Sequence, residues 1–155
     1  MTLYLLIKTL HILSATVLFG TGMGIAFFML RSWLVEDTQQ RLYAARTTVL
    51  ADWIFTLPAG ILQPLTGLWL IWQAQFPLSA FWVISSLVLY AIAGACWLPV
   101  VWIQLRLKNL LEISTQTGTP LTSEYHRLFR FWFMLGWPAF TSLVVIFYLM
   151  VAKPT

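Results

Sequence analysis

The sequence predicts an all-α membrane protein, a single antiparallel bundle of four transmembrane helices with a short cytoplasmic helix leading into the second span. Of its 155 residues 60% are hydrophobic and 9% are charged, and the mean hydropathy is +0.82. A soluble domain carries about 25% charged residues. Nine tryptophans and eleven phenylalanines agree with this class, because aromatic rings collect at membrane interfaces and pack between helices.

Four stretches reach the roughly 20 apolar residues that a helix needs to cross a bilayer, and they make one domain over residues 1–155. The predicted spans are residues 3–30, 49–72, 80–103 and 129–151. The first is expected to be a retained span, because its apolar run exceeds the roughly 7–15 residues of a signal peptide and contains a lysine. Asp37 or Thr38 is expected to cap the short helix before the second span. Pro58 and Pro64 are expected to bend that span.

The distribution of basic residues predicts the orientation in the membrane. The second link carries no basic residue, whereas seven lie in the first and third links: Arg31, Arg41, Arg46, Arg106, Lys108, Arg127 and Arg130. Cytoplasmic links are rich in Lys and Arg, so both long links are expected inside and both termini outside. In a bacterial inner membrane the termini would be periplasmic. The net charge of +4 therefore bears on topology, and the expected partner is the lipid bilayer, with no nucleic acid.

A candidate binding site is centred on His11. Ionisable residues inside a membrane are costly and are functional candidates by default. Lys8 and His11 share a helix face. Counting inward at about 1.5 Å per residue brings Gln63, Thr66 and Tyr90 to the depth of His11. The same count adds hydroxyls of the third and fourth spans, and it predicts a polar layer in the outer half of the bundle that also includes Ser85, Ser86, Thr141 and Ser142.

Several roles for His11 remain open on the residues alone. It could be a packed histidine bonded to Gln63 or Thr66, an axial ligand of haem or another tetrapyrrole with Lys8 near a propionate, or part of a proton relay or another metal site. His126 precedes the fourth span on the cytoplasmic side, so the two histidines are not expected to ligate one haem. Cys96 is expected to be a small packing residue.

Asp52 lies near the cytoplasmic end of the second span, at the start of a polar stripe with helical spacing. A carboxylate there is favoured by the helix dipole, and the expectation is a structural charge pair with Arg46 or Arg130, or with Arg127. A proton or substrate role for Asp52 is the alternative.

The motif Tyr4-x-x-x-Lys8-x-x-His11, with Thr66-Gly67 and the ending Val151-Ala-Lys-Pro, resembles the frame of the HemJ-type protoporphyrinogen oxidases, four-helix membrane proteins that bind haem b. The resemblance implies haem b at His11, with Lys8 as its companion. The helix-three Lys and His of that frame have no counterpart in "WVISSLVLYAIAGAC", so oxidase activity is not implied. Over its full length the chain more closely resembles a bacterial inner-membrane family, the domain of unknown function 2269.

The leading functional prediction is a membrane protein that holds haem or another hydrophobic redox ligand through His11. The first alternative is a non-catalytic accessory or assembly subunit of a larger membrane complex, and the second is a small transporter or proton-relay element. Gly20-x-Gly22-x-Gly24 includes a spacing that lets membrane helices approach closely. This glycine spacing is expected either to pack helices within this chain's own bundle or to form a contact with a second copy or a membrane partner.

Overall fold

Five α-helices make up the chain in the computed structural model, which describes residues 2–154. They are α1 (Thr2–Trp33), α2 (Thr38–Ala51), α3 (Leu57–Gln73), α4 (Phe81–Thr117) and α5 (Ser123–Ala152). A π-helical turn, Asp52–Thr56, joins α2 and α3 into one continuous helix of 36 residues. The part of the chain that the structure describes contains no strand.

Four of these helical segments are long and apolar enough to cross a membrane, which confirms the predicted class: α1, the continuous α2–α3 helix, α4 and α5. The predicted helix before the second span is present as α2. Its cap is Asp37, whose side chain accepts the Gln39 N–H at 2.8 Å. Such a cap satisfies one of the backbone donors that a helix start leaves free.

The helices extend further than the predicted spans at the ends near the third link. α4 continues to Thr117 instead of residue 103, and α5 begins at Ser123 instead of residue 129. Leu107 and Leu111 are fully buried in this extension. Gly118 ends α4 with a φ of +66°, a left-handed conformation that glycine adopts without steric cost.

The predicted distortion at Pro58 takes the form of the π-helical turn. A proline has no N–H and its ring crowds the carbonyl four residues earlier, here that of Ile54. The helix is wider at this point, since the Leu57 N–H binds the carbonyl of Asp52, five residues back. Pro64 is accommodated inside α3.

Apolar packing is concentrated at one end of the helices. The large hydrophobic cluster joins the end of α1, α2, the second half of α4 and the first half of α5. Its buried members are Met29, Leu42, Ala45, Val100, Ile103, Leu107, Leu111, Tyr125, Leu128, Phe129 and Trp132. The small hydrophobic cluster at the start of α4 has three buried members, Trp82, Val83 and Leu149. Large apolar side chains are exposed along every spanning helix, among them Leu6, Phe28 and Leu65, as expected of surfaces that face lipid.

Candidate functional site

His11 projects from α1 against α3 and contacts two of the residues predicted to lie at its depth. Its Nδ1 lies 2.8 Å from Thr66 Oγ1, and its Nε2 lies 3.3 Å from Gln63 Nε2. Ser14, one helical turn further along α1, donates its hydroxyl to Gln63 Oε1. We call these four residues the His11 cluster: His11, Ser14, Gln63 and Thr66.

The directions of these hydrogen bonds assign the histidine tautomer. Thr66 Oγ1 lies 2.6 Å from the Leu62 carbonyl and 3.2 Å from the Gln63 carbonyl. A carbonyl only accepts, so the single hydroxyl proton of Thr66 is used there and its oxygen accepts the Nδ1–H of His11. The Nε2 lone pair then accepts the Gln63 N–H. The neutral imidazole therefore carries its proton on Nδ1, and its unprotonated Nε2 is covered by Gln63.

The imidazole of His11 also lies directly on the backbone of α3. A Cβ atom placed at Gly67 would be 3.0 Å from His11 Cε1, closer than side chains normally pack. Glycine at this position therefore allows α1 and α3 to approach at the histidine. Both residues of the pair Thr66-Gly67 therefore accommodate His11: Thr66 accepts its hydrogen bond, and Gly67 leaves room for its ring.

Tyr90, the predicted site residue on α4, is held next to the His11 cluster but does not bond to it. Its hydroxyl donates to the Gly60 carbonyl at 2.5 Å. Residue 64 would normally supply an N–H to that carbonyl within the helix, and Pro64 has none. Tyr90 therefore satisfies a backbone acceptor that the proline leaves free, and in doing so it ties α4 to α3 one turn from Gln63.

Lys8 lies one turn before His11 on α1 and is exposed. It takes part in neither of the two ion pairs found among residues 2–154, which are Arg46–Glu112 and Arg106–Glu124. Lys8 is therefore an exposed side chain without an ion pair among the described residues, and its part in the site stays a prediction.

The predicted charge pair of Asp52 is not formed. Arg46 instead donates from Nε and Nη2 to Glu112 Oε1, at 3.1 and 2.9 Å. Arg130 is exposed and borders a surface groove at the start of α5. Asp52 is buried, and its Oδ1 receives a long hydrogen bond of 3.5 Å from the indole Nε1 of Trp97. Sequence reasoning missed Trp97 as a neighbour of this carboxylate.

The nitrogen of His11 that a metal could use is Nε2, and it is already hydrogen-bonded to Gln63. A metal-bound histidine usually donates its other ring N–H to a neighbouring acceptor, which fixes the tautomer, and Thr66 occupies that position. Gln63 lies over the ligating nitrogen, so its side chain would have to rotate to admit an iron. Within residues 2–154 no three His, Cys, Asp or Glu side chains are grouped as metal ligands.

Four spanning helices with a polar cluster between two of them define an integral membrane protein. The chain belongs to the family described as "Predicted integral membrane protein (DUF2269)", whose model matches residues 5–154. No curated protein and no solved structure matches the chain significantly. The match confirms the resemblance to this family and carries no activity with it. The resemblance to the HemJ-type oxidases stays a prediction.

Proposed function

We propose that this membrane protein binds haem, or a similar hydrophobic redox ligand, through Nε2 of His11. The observation that supports the proposal is the assigned tautomer: Thr66 takes the Nδ1–H, and Nε2 carries the lone pair. Nε2 is the atom of His11 that would ligate the iron. Because the ring proton lies on Nδ1, Nε2 does not have to lose a proton before it binds the metal.

The other residues of the site have separate tasks in this proposal. Thr66 orients the ring, and Gln63 covers Nε2 until the ligand displaces its amide. Lys8, exposed on the same face of α1, supplies a positive charge for an anionic substituent such as a propionate. A bound haem would supply one-electron redox chemistry.

Absorption spectroscopy of the detergent-purified protein titrated with haem tests this proposal. We expect a Soret band that is lost in His11→Ala and retained in His126→Ala, which removes the other histidine. Gln63→Ala should tighten haem binding about fivefold, since a net hydrogen bond to Nε2 is worth about 1 kcal/mol. If haem produces no Soret shift, or the same shift in His11→Ala, the proposal is wrong.

A second candidate function is that of an accessory or assembly subunit in a membrane complex, and an open surface of α1 favours it. Gly20 and Gly24 lie on one face of α1, and a Cβ atom placed at either would meet no atom within 4 Å, so this glycine face is not used to pack the chain's own helices. Small residues are enriched where membrane helices associate closely. Both ring nitrogens of His11 already have partners within the chain, and this role needs no ligand there.

Cross-linking and native mass spectrometry in detergent test this second candidate. If the glycine face binds a second copy or another membrane helix, Gly20→Leu with Gly24→Leu should abolish the complex while the helical content is unchanged, because the side chains enter open space. Gly136→Leu, on α5 and equally open, is the matched control. Association that survives the double substitution would remove this candidate.

A further inference from the structure

Asp52 is a buried carboxylate whose partners within the described chain are incomplete. It is 4% exposed and opens the π-helical turn between α2 and α3. The three residues after it, Trp53, Ile54 and Phe55, point outward and are exposed. The carboxylate therefore faces the interior of the helix bundle while its neighbours in sequence face lipid.

The hydrogen bonds around Asp52 leave two buried oxygen atoms unpartnered. Oδ1 has only the 3.5 Å bond from Trp97, which is at the outer limit for a hydrogen bond. Oδ2 has no partner, and neither does the buried Oγ1 of Thr56 one turn later. Thr56 and Gln104 flank the carboxylate, and Gln104 is itself only 3% exposed. We call Asp52, Thr56, Trp97 and Gln104 the Asp52 cluster.

No charged side chain of the described residues compensates Asp52. The nearest arginine before it in sequence, Arg46, is paired with Glu112 of α4. α1 also packs against the π-helical turn. Its titratable residues Tyr4, Lys8, His11 and Arg31 form no ion pair with Asp52, since the two ion pairs of residues 2–154 involve other residues. An isolated ionised carboxylate away from water is strongly unfavourable unless a positive charge or a proton accompanies it.

We propose that the Asp52 cluster is a binding site for one small monovalent cation, either Na⁺ or a proton. The cluster offers carboxylate, hydroxyl and amide oxygens, which are hard ligands that suit small hard cations. A single carboxylate balances one positive charge. Because Pro58 has no N–H, one carbonyl of this turn also lacks its helical donor, and π-helical turns are frequent at functional sites. The site does not involve His11 and does not depend on its role.

The test measures thermal unfolding and Trp fluorescence of the purified full-length protein while Na⁺ replaces N-methylglucamine at constant ionic strength. A cation that binds only the folded state raises its stability with concentration. If the site takes Na⁺, the unfolding temperature should rise in the wild type and the total tryptophan fluorescence, to which Trp97 contributes, should change. Both effects should disappear in Asp52→Asn and weaken at least tenfold in apparent affinity in Thr56→Val. Glu36→Gln, which removes an exposed carboxylate, is the matched control and should respond to Na⁺ as the wild type does.

Infrared spectroscopy distinguishes the proton from Na⁺. If the site takes a proton, Na⁺ has no effect and the wild type shows the carbonyl band of a protonated carboxyl group at neutral pH, which Asp52→Asn lacks. Either cation supports the proposal. An ionised Asp52 whose spectrum and stability ignore Na⁺, or a Na⁺ response that persists in Asp52→Asn, would overturn it. Asp52→Asn is isosteric and removes the uncompensated charge, so it is expected to fold.

Discussion

The hydrogen bond from Tyr90 to the Gly60 carbonyl should be energetically coupled to Pro64. Tyr90→Phe removes the hydroxyl and leaves a partly buried carbonyl without the donor that Pro64 cannot supply. Losing a partner for a buried polar group costs about 1–3 kcal/mol, and interhelical hydrogen bonds in membranes reach about 1.7 kcal/mol. We therefore expect Tyr90→Phe to lower the free energy of unfolding by about 1–1.5 kcal/mol.

Pro64→Ala supplies the missing backbone N–H, so the same Tyr90→Phe change should then cost less than about 0.5 kcal/mol. The difference between the two backgrounds, about 1 kcal/mol, is the coupling energy of a double-mutant cycle. Unfolding in mixed detergent micelles, followed by circular dichroism, measures all four proteins. Tyr148→Phe, at a tyrosine that is 68% exposed, is the control for loss of a hydroxyl. Equal costs of Tyr90→Phe with and without Pro64 would show that the Tyr90 hydroxyl does not replace the donor that Pro64 lacks.

Three further predictions concern the His11 cluster and one surface ion pair. Gly67→Ala should be about 1–3 kcal/mol less stable than Gly136→Ala in the same unfolding assay, because its Cβ meets His11 at 3.0 Å and the other meets open space. Thr66→Val should shift the imidazole nitrogen resonances of His11 in ¹⁵N NMR away from the Nδ1–H tautomer; unchanged resonances would contradict the assigned bond directions. Glu112→Gln should change stability by less than about 1 kcal/mol, since Arg46 is 59% exposed in that pair; a larger loss would mean that the pair is not screened.

The length of α4 explains why the partner of Arg46 could not be predicted. The thickness of a bilayer limits the predicted length of a span, so the third span is predicted to end at residue 103. The helix continues because Leu107 and Leu111, four residues apart, bury one face of it in the large hydrophobic cluster. This extension carries Glu112 to α2, where it binds Arg46. Asp52 is thereby left without the arginine that proximity in sequence suggested.

Helix depth, by contrast, was sufficient to predict the neighbours of His11 on α3. A rise of about 1.5 Å per residue placed Gln63 and Thr66 at its level, and both contact it. Depth does not determine which hydroxyl groups join the hydrogen bonds around His11, because a serine or threonine hydroxyl can bond instead to a backbone carbonyl of its own helix. Ser86 and Ser142 do so, donating to the carbonyls of Trp82 and Pro138. The polar layer expected across all four spans is therefore, in its hydrogen bonds, mainly a contact between α1 and α3.

The order of donors in the His11 cluster bears on the proton-relay alternative. The hydrogen bonds run from Ser14 to Gln63, from Gln63 to His11, from His11 to Thr66, and from Thr66 to the Leu62 carbonyl. A relay requires groups that both accept and release a proton, whereas an amide side chain does not readily do so and a backbone carbonyl only accepts. This series of hydrogen bonds orients His11, and it ends at a backbone carbonyl of α3. The two polar sites therefore differ: both ring nitrogens of His11 are hydrogen-bonded within the chain, whereas one oxygen of the buried Asp52 carboxyl group has no partner among the described residues.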